Sequence, residues 1–237
     1  SFPDSFYSLT GYPPMRWQNR LFRQLIKGEI PAALDLPTGL GKTSVMAIWL
    51  IALAEQAAAG AVRLPRRLGY VVDRRTVVDQ ATDEALKLRN TLKARDANGA
   101  TGWIRVALDK LCVDHNDDAS PLAISTLRGE LADNREWQAD PARAAIVIGT
   151  VDMIGSRLLF SSYGNVGWKM RAFNAGLTAH DTLIVHDETQ LSPAFEELLR
   201  QIEDGQQGQL RRLRVLSLSA TRRPVNPAQV RDSAAAE

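Results

Sequence analysis

Leu36-Pro37-Thr38-Gly39-Leu40-Gly41-Lys42-Thr43 decides how the rest of this chain is read. The stretch stands between a short apolar run at 32–36 and a long helix-compatible run at 43–59. Glycine takes backbone turns that other residues resist, so successive N–H groups can point inward around an anion. A helix beginning near Lys42 adds the positive end of its dipole. Lys42 then supplies a point charge for the β- and γ-phosphates of a nucleotide, and Thr43 a hydroxyl for Mg²⁺. Pro37, Thr38, Gly39, Leu40 and Gly41 complete the expected cradle. Leu36 replaces the first glycine of the full Walker pattern, but the crowded turns lie at Gly39 and Gly41.

Outward from this loop, apolar runs recur at 68–72, 144–148, 183–185 and 214–218. Helix-like runs at 75–94, 149–160 and 193–203 separate them. Such alternation predicts an α/β fold, a central, mostly parallel sheet with helices on both faces. Upstream, Gly11-Tyr12-Pro13-Pro14 breaks the chain before an amphipathic run at 15–26, on which Trp17 and Phe22 are expected in the core. The stretch 98–141 is polar and less regular, and reads as a long connection holding one or two elements of its own. The expected organisation is an N-terminal segment at 1–28, a nucleotide-binding domain at 29–221 and a linker at 222–237, where Pro224, Asn226 and Pro227 precede small residues.

A phosphate loop needs a carboxylate at the end of a neighbouring strand. Leu183-Ile184-Val185-His186-Asp187-Glu188-Thr189-Gln190 provides two. Asp187 is expected to orient the metal, and Glu188 to polarise an attacking water as general base. A third strand ends in Ser219-Ala220-Thr221. A compact hydroxyl-bearing turn there can sense the γ-phosphate and transmit its loss. The three elements in this order point to ATP hydrolysis.

The bulk numbers bound the reading. At 237 residues, with 45% apolar and 24% charged side chains, the chain suits one large domain or a tight pair. No apolar stretch reaches the roughly 18–20 residues of a membrane span. No basic start followed by an apolar run marks a signal peptide, and the expected location is cytoplasmic. The single Cys112 excludes an internal disulfide and a cysteine-based metal cage. A net charge of +2 does not announce a nucleic-acid partner. Arginines gather at 63–67, 74–75, 211–214 and 222–223, and acids at 114–118; by themselves such clusters read as solvated surface.

With the phosphate loop, the acidic motif and the Ser-Ala-Thr turn in hand, the chain resembles superfamily 2 helicases, whose first RecA-like domain carries them in this order. Asp187-Glu188-Thr189-Gln190 is similar to their DEAD or DEAH box and departs at its last two positions, where Gln190 would couple to a partner domain. A closer resemblance is to the CRISPR-associated helicase–nuclease of type I systems, in its subtype G (formerly U) branch. It rests on Leu34-Asp35 and the loop that follows, and on Tyr70-Val71-Val72-Asp73-Arg74-Arg75-Thr76-Val77-Val78-Asp79-Gln80. Ile148-Gly149-Thr150-Val151-Asp152-Met153-Ile154-Gly155 and the continuation Leu191-Ser192-Pro193 also match.

This resemblance implies a RecA-like P-loop NTPase domain using ATP and Mg²⁺. Its motor would track along single-stranded DNA, with RNA as the alternative strand, and be recruited to a guide-RNA surveillance complex. By the same analogy Arg74, Arg75, Gln80, Thr150 and Asp152 lie along the nucleic-acid backbone. Gln18, in Tyr12-Pro13-Pro14-Met15-Arg16-Trp17-Gln18, resembles the upstream glutamine that reads adenine through paired amide hydrogen bonds.

The family's arginine fingers come from a second RecA-like domain, which the chain is expected to lack; Arg222 and Arg223 read as linker charges. The related nuclease needs a histidine–aspartate metal cluster. His115, His180 and His186 do not make one, and His180-Asp181 reads as a surface turn. The expectation is therefore half of a motor. Two alternatives stand beside it: another superfamily 2 DNA or RNA helicase, and a nucleotide-gated binding module with negligible turnover alone.

Overall fold

The computed structural model describes residues 1–37, 39–93, 99, 101–113, 120–127, 135–161 and 167–220. Its centre is a six-stranded, all-parallel sheet in the order β1-β6-β5-β2-β4-β3. The strands are β1 (Ala33–Asp35), β2 (Arg67–Val72), β3 (Leu122–Leu127), β4 (Ala144–Thr150), β5 (Thr182–Asp187) and β6 (Arg214–Ser219). Strands β2 and β5 are buried along their whole length. Both faces of a parallel sheet are covered, so its strands read as continuous apolar runs rather than alternating ones. That is why five of the six could be placed from sequence. The sixth, β3, lies in the stretch expected to be a long connection, and its Ser125 and Thr126 interrupt the apolar run.

Two apolar layers sandwich the sheet. One holds the first two helices, α1 (Phe2–Thr10) and α2 (Arg16–Ile26), together with α3 (Val45–Ala58), α4 (Arg75–Lys93) and α5 (Gly102–Asp109). The other holds α6 (Glu136–Ala139), α7 (Val151–Leu158), α8 (Trp168–Ala179) and α9 (Pro193–Gly205). Helix α3 is buried almost all round, as a helix apolar on every side must be. Its one amide, Gln56, is fully used. Gln56 Nε2 donates to the carbonyls of Leu25 and Ile26, closing the end of α2, and Oε1 accepts from the N–H groups of Arg63 and Leu64.

Several boundaries differ from the sequence reading, each for a local reason. The helix expected at 43–59 opens with a 3-10 turn, Lys42–Ser44, because the chain leaves the left-handed Gly41. The helix expected at 149–160 begins at Val151: Gly149 and Thr150 stay in β4, registered with Val71 and Val72, and the Thr150 hydroxyl accepts from Met153 N–H as a cap. It ends before Phe160, whose φ is 58°. Arg67, in a cluster expected to be solvated, is 3% exposed. Its guanidinium donates to the carbonyls of Leu177, Pro141 and His180, and burial lowers its pKa to about 10. Helices α1 and α8 were not expected. The first is short, and the second is weakly amphipathic, with its opening turn and a half exposed.

Candidate functional site

Parallel strands aim all their carboxyl ends at one edge, and the segments leaving that edge collect the site. Strand β1 runs into the phosphate loop. Gly39 has φ 89° and Gly41 φ 67°, left-handed turns that an L side chain would strain. A Cβ on Gly39 would meet nothing within 4 Å, so the backbone conformation, not crowding, requires glycine there. Thr38 lies outside the described residues. Lys42 and Thr43 follow in the 3-10 turn at the foot of α3, and within the loop the Leu40 N–H donates to the Pro37 carbonyl at 3.4 Å.

Strand β5 delivers the second motif to the same place. Lys42 Nζ lies 3.2 Å from Asp187 Oδ1, both side chains being about one-tenth exposed. The Asp187 carboxylate is held at both oxygens. Tyr70, from β2, donates its hydroxyl to Oδ2 at 2.8 Å, and the Glu188 N–H donates to Oδ1 at 2.9 Å. Burial, reinforced by the charges of Asp187 and Glu188, holds the Tyr70 phenol well above its ordinary value, so it stays a donor. Glu188 sits at φ 55°, half-buried, and its carboxylate makes no hydrogen bond among the described residues. Such a conformation costs roughly 1–3 kcal/mol and clusters at functional sites. Tyr70 was not anticipated as a partner of Asp187, because only the fold sets β2 beside β5.

Strand β6 brings Ser219 to the same edge, where its hydroxyl lies 3.5 Å from Gln190 Oε1. Ala220 follows, and Thr221 with Arg222 and Arg223 lies outside the described residues. Ser192, after the acidic motif, donates to Asp73 Oδ1 at 2.6 Å, tying that segment to the end of β2.

Gln18 is 4% exposed, not a surface helix residue. Its Oε1 accepts the Met15 N–H at 2.7 Å, capping α2, and its Nε2 donates to Ser44 Oγ at 2.8 Å, beside the phosphate loop. A cavity of about 340 Å³ opens there, with Gly41 and Thr43 on one wall and Phe6, Leu9, Pro13 and Gln18 among the others. The α1 wall was not legible in the sequence.

Arg74, Arg75 and Gln80 are exposed at the start of α4, just beyond β2. Thr150 and Asp152 begin α7, just beyond β4. The two groups are neighbours, since Val72 and Thr150 are registered partners. Thr150 spends its hydroxyl on the helix cap, and Asp152 occupies the first turn, where a carboxylate suits the dipole. His180 and Asp181 lie at the opposite edge of the sheet. Asp181 pairs there with Arg66 at 2.6 Å and Arg211 at 3.3 Å, which makes it a structural anchor.

The residues present fit a nucleotide and a divalent cation: the left-handed glycine turns and Lys42 meet a pre-oriented Asp187 carboxylate, and Thr43 follows Lys42 in the same 3-10 turn. In comparison with known proteins, the family described as the type III restriction enzyme, res subunit, matches residues 12–223. Its domain is RecA-like, of the superfamily 2 helicase type. No curated protein matches the sequence. Among the described residues, no helix is long and apolar enough to cross a membrane.

Proposed function

The chain belongs to the family of the type III restriction enzyme res subunit, and we propose that it is the ATP-binding domain of a motor that translocates along single-stranded DNA. The observation that carries this reading is the convergence of Lys42 and Asp187 at 3.2 Å, from motifs 145 residues apart.

The backbone amides from Gly39 to Thr43 and the Lys42 ammonium hold the phosphates, at the N-terminal end of α3. Thr43 and Asp187 would hold Mg²⁺, which would neutralise charge on the transferring phosphate. Tyr70 fixes the orientation of Asp187. Glu188, with no competing partner among the described residues, takes the proton of the attacking water. The adenine lies in the cavity beside α1 and α2. Gln18 still has one amide hydrogen and one lone pair to offer it, because an amide carries two of each. Gln190 and Ser219 pass the state of the γ-phosphate to a second RecA-like domain. Arg74, Arg75, Gln80 and Thr150 line the strand path, giving contacts that position without reading sequence. The expected linker at 222–237 lies outside the described residues.

At the finest level, the motor serves type I CRISPR interference, working with a guide-RNA surveillance complex and a nuclease. The resemblance at 34–43, 70–80, 148–155 and 187–193 supports this assignment. The test is ATP turnover with single-stranded DNA, with RNA and with neither, the second RecA-like domain being supplied. DNA should stimulate most. Stimulation by RNA alone would assign a different helicase, and ATP binding without turnover under any condition would leave a nucleotide-gated binding module.

A further inference from the structure

On the face of the sheet away from the phosphate loop, three polar side chains are buried together. His186 is fully buried, Ser217 is 2% exposed and Glu196 5%. Side chains alternate along a strand, so His186 points opposite to Asp187. It packs against Phe195 of α9, ring edge to face, with centroids 5.1 Å apart. His186 and Ser217 are registered partners on the adjacent strands β5 and β6. Glu196, in the first turn of α9, spans both: its Oε2 lies 2.8 Å from His186 Nδ1, and its Oε1 accepts the Ser217 hydroxyl.

An ionised carboxylate only accepts, so His186 donates through Nδ1 and Ser217 spends its hydroxyl hydrogen on Glu196. His186 Nε2 is left buried without a hydrogen-bond partner among the described residues. Leaving such a group unsatisfied carries a desolvation penalty that an apolar side chain would avoid. The arrangement is therefore a poor way to stabilise a core, and its return is position.

What it positions is specific. His186 immediately precedes Asp187, Ser217 lies two residues before Ser219, and α9 begins directly after the segment carrying Gln190 and Ser192. We propose that Glu196 is a positioning residue that clamps the carboxylate-bearing end of β5 to the hydroxyl-bearing end of β6, so that a displacement at the nucleotide reaches both strand ends and α9 as one movement. This rests on the ATP reading of the site. It adds a coupling device on the opposite face, which touches neither nucleotide nor metal.

The experiment is amide hydrogen exchange on the 237-residue chain, with and without ATP–Mg²⁺. In the unaltered chain, nucleotide should slow exchange about tenfold both in the loop at 39–45 and in β6 at 214–219. Glu196→Gln keeps the volume but places a donor opposite His186 or Ser217, and it also removes the charge that Arg200 faces at 3.6 Å from Oε1. It should bind ATP within about threefold of the parent and keep the loop protection, yet lose the protection of β6. Ser217→Ala should behave likewise, and Ser217→Thr, which keeps the hydroxyl, should restore the β6 response. Nucleotide-dependent protection of β6 in Glu196→Gln equal to the parent's would overturn the proposal. So would a parallel loss of melting temperature and ATP binding in both Glu196→Gln and Ser217→Ala, since that marks a purely structural role. Failure of the ATP reading is seen separately: the unaltered chain would then show no response to nucleotide at all.

Discussion

The two edges of the sheet carry the same kinds of residue and use them in opposite ways. At the edge where strands begin, Arg67 is tied to three backbone carbonyls, and Asp181 is shared between Arg66 and Arg211. Two of those carbonyls, on Leu177 and His180, also accept the Thr182 hydroxyl. Such groups are already committed to the fold. At the edge where strands end, among the described residues, Lys42 meets only Asp187 and the Glu188 carboxylate meets nothing. Those groups are gathered but not saturated, so they can exchange partners when phosphate and metal arrive. The difference also shows why cavity size is a poor guide. The opening beside Arg67 and Asp181 measures about 670 Å³ against about 340 Å³ beside the phosphate loop, yet its charged groups are already spent on the fold.

The comparison can be broken by substitution. The largest effect is expected at the working edge, where Glu188→Gln should lower DNA-stimulated hydrolysis by about 10²–10⁴-fold, the usual worth of a general base. ATP binding should persist in a filter or fluorescence titration. Equal loss of both would make Glu188 a structural residue. At the opposite edge Arg67→Met should do the reverse. Arg67→Met takes the guanidinium away from the Pro141 carbonyl, and leaving a buried acceptor unsatisfied costs about 1–3 kcal/mol. Thermal melting should register that as a fall of roughly 2–12 °C, at about 2–4 °C per kcal/mol for a chain of this size. ATP affinity measured below the transition should stay within about twofold. A variant that folds normally but loses ATP would mean the edges are not separable.

Cys112 sharpens the same contrast. Burial, with Asp109 and Asp140 nearby, pushes its thiol up to about 11 from an ordinary 9.0. Since the thiolate is the nucleophile, alkylation at pH 8 should run about 100-fold slower than for a free thiol. A raised folded value means stability that is fully present below pH 9.0 and is lost as pH rises through about 11. Labelling at the rate of a small thiol would show that this edge opens readily.

How much of this was legible follows from where each signal sits along the chain. The phosphate loop and acidic motif are contiguous runs whose chemistry depends on local order, and Lys42 and Asp187 could be paired before their distance was known. Strand β3 and helix α8 were not legible, because tertiary contacts rather than local pattern hold their mixed sequences. Tyr70 and the cluster of His186, Glu196 and Ser217 join residues from different elements. Which face a strand residue takes, and which helix lies over it, is fixed only by register and packing. A histidine inside an apolar strand just before two carboxylates was the one available hint. Gln18 shows its base-reading potential in the sequence, whereas its tie to Ser44 needs the fold.

The central claim is that the gathered charges at the strand ends form an ATP site. Thermal melting of the 237-residue chain with and without ATP–Mg²⁺, for the unaltered sequence and for Lys42→Ala, tests it most directly. At about 100 times its Kd, a ligand that binds only the folded state adds about 2.7 kcal/mol. The account predicts a rise of roughly 5–11 °C in the unaltered chain and no rise in Lys42→Ala. An equal rise in both, or none in the unaltered chain, would contradict it.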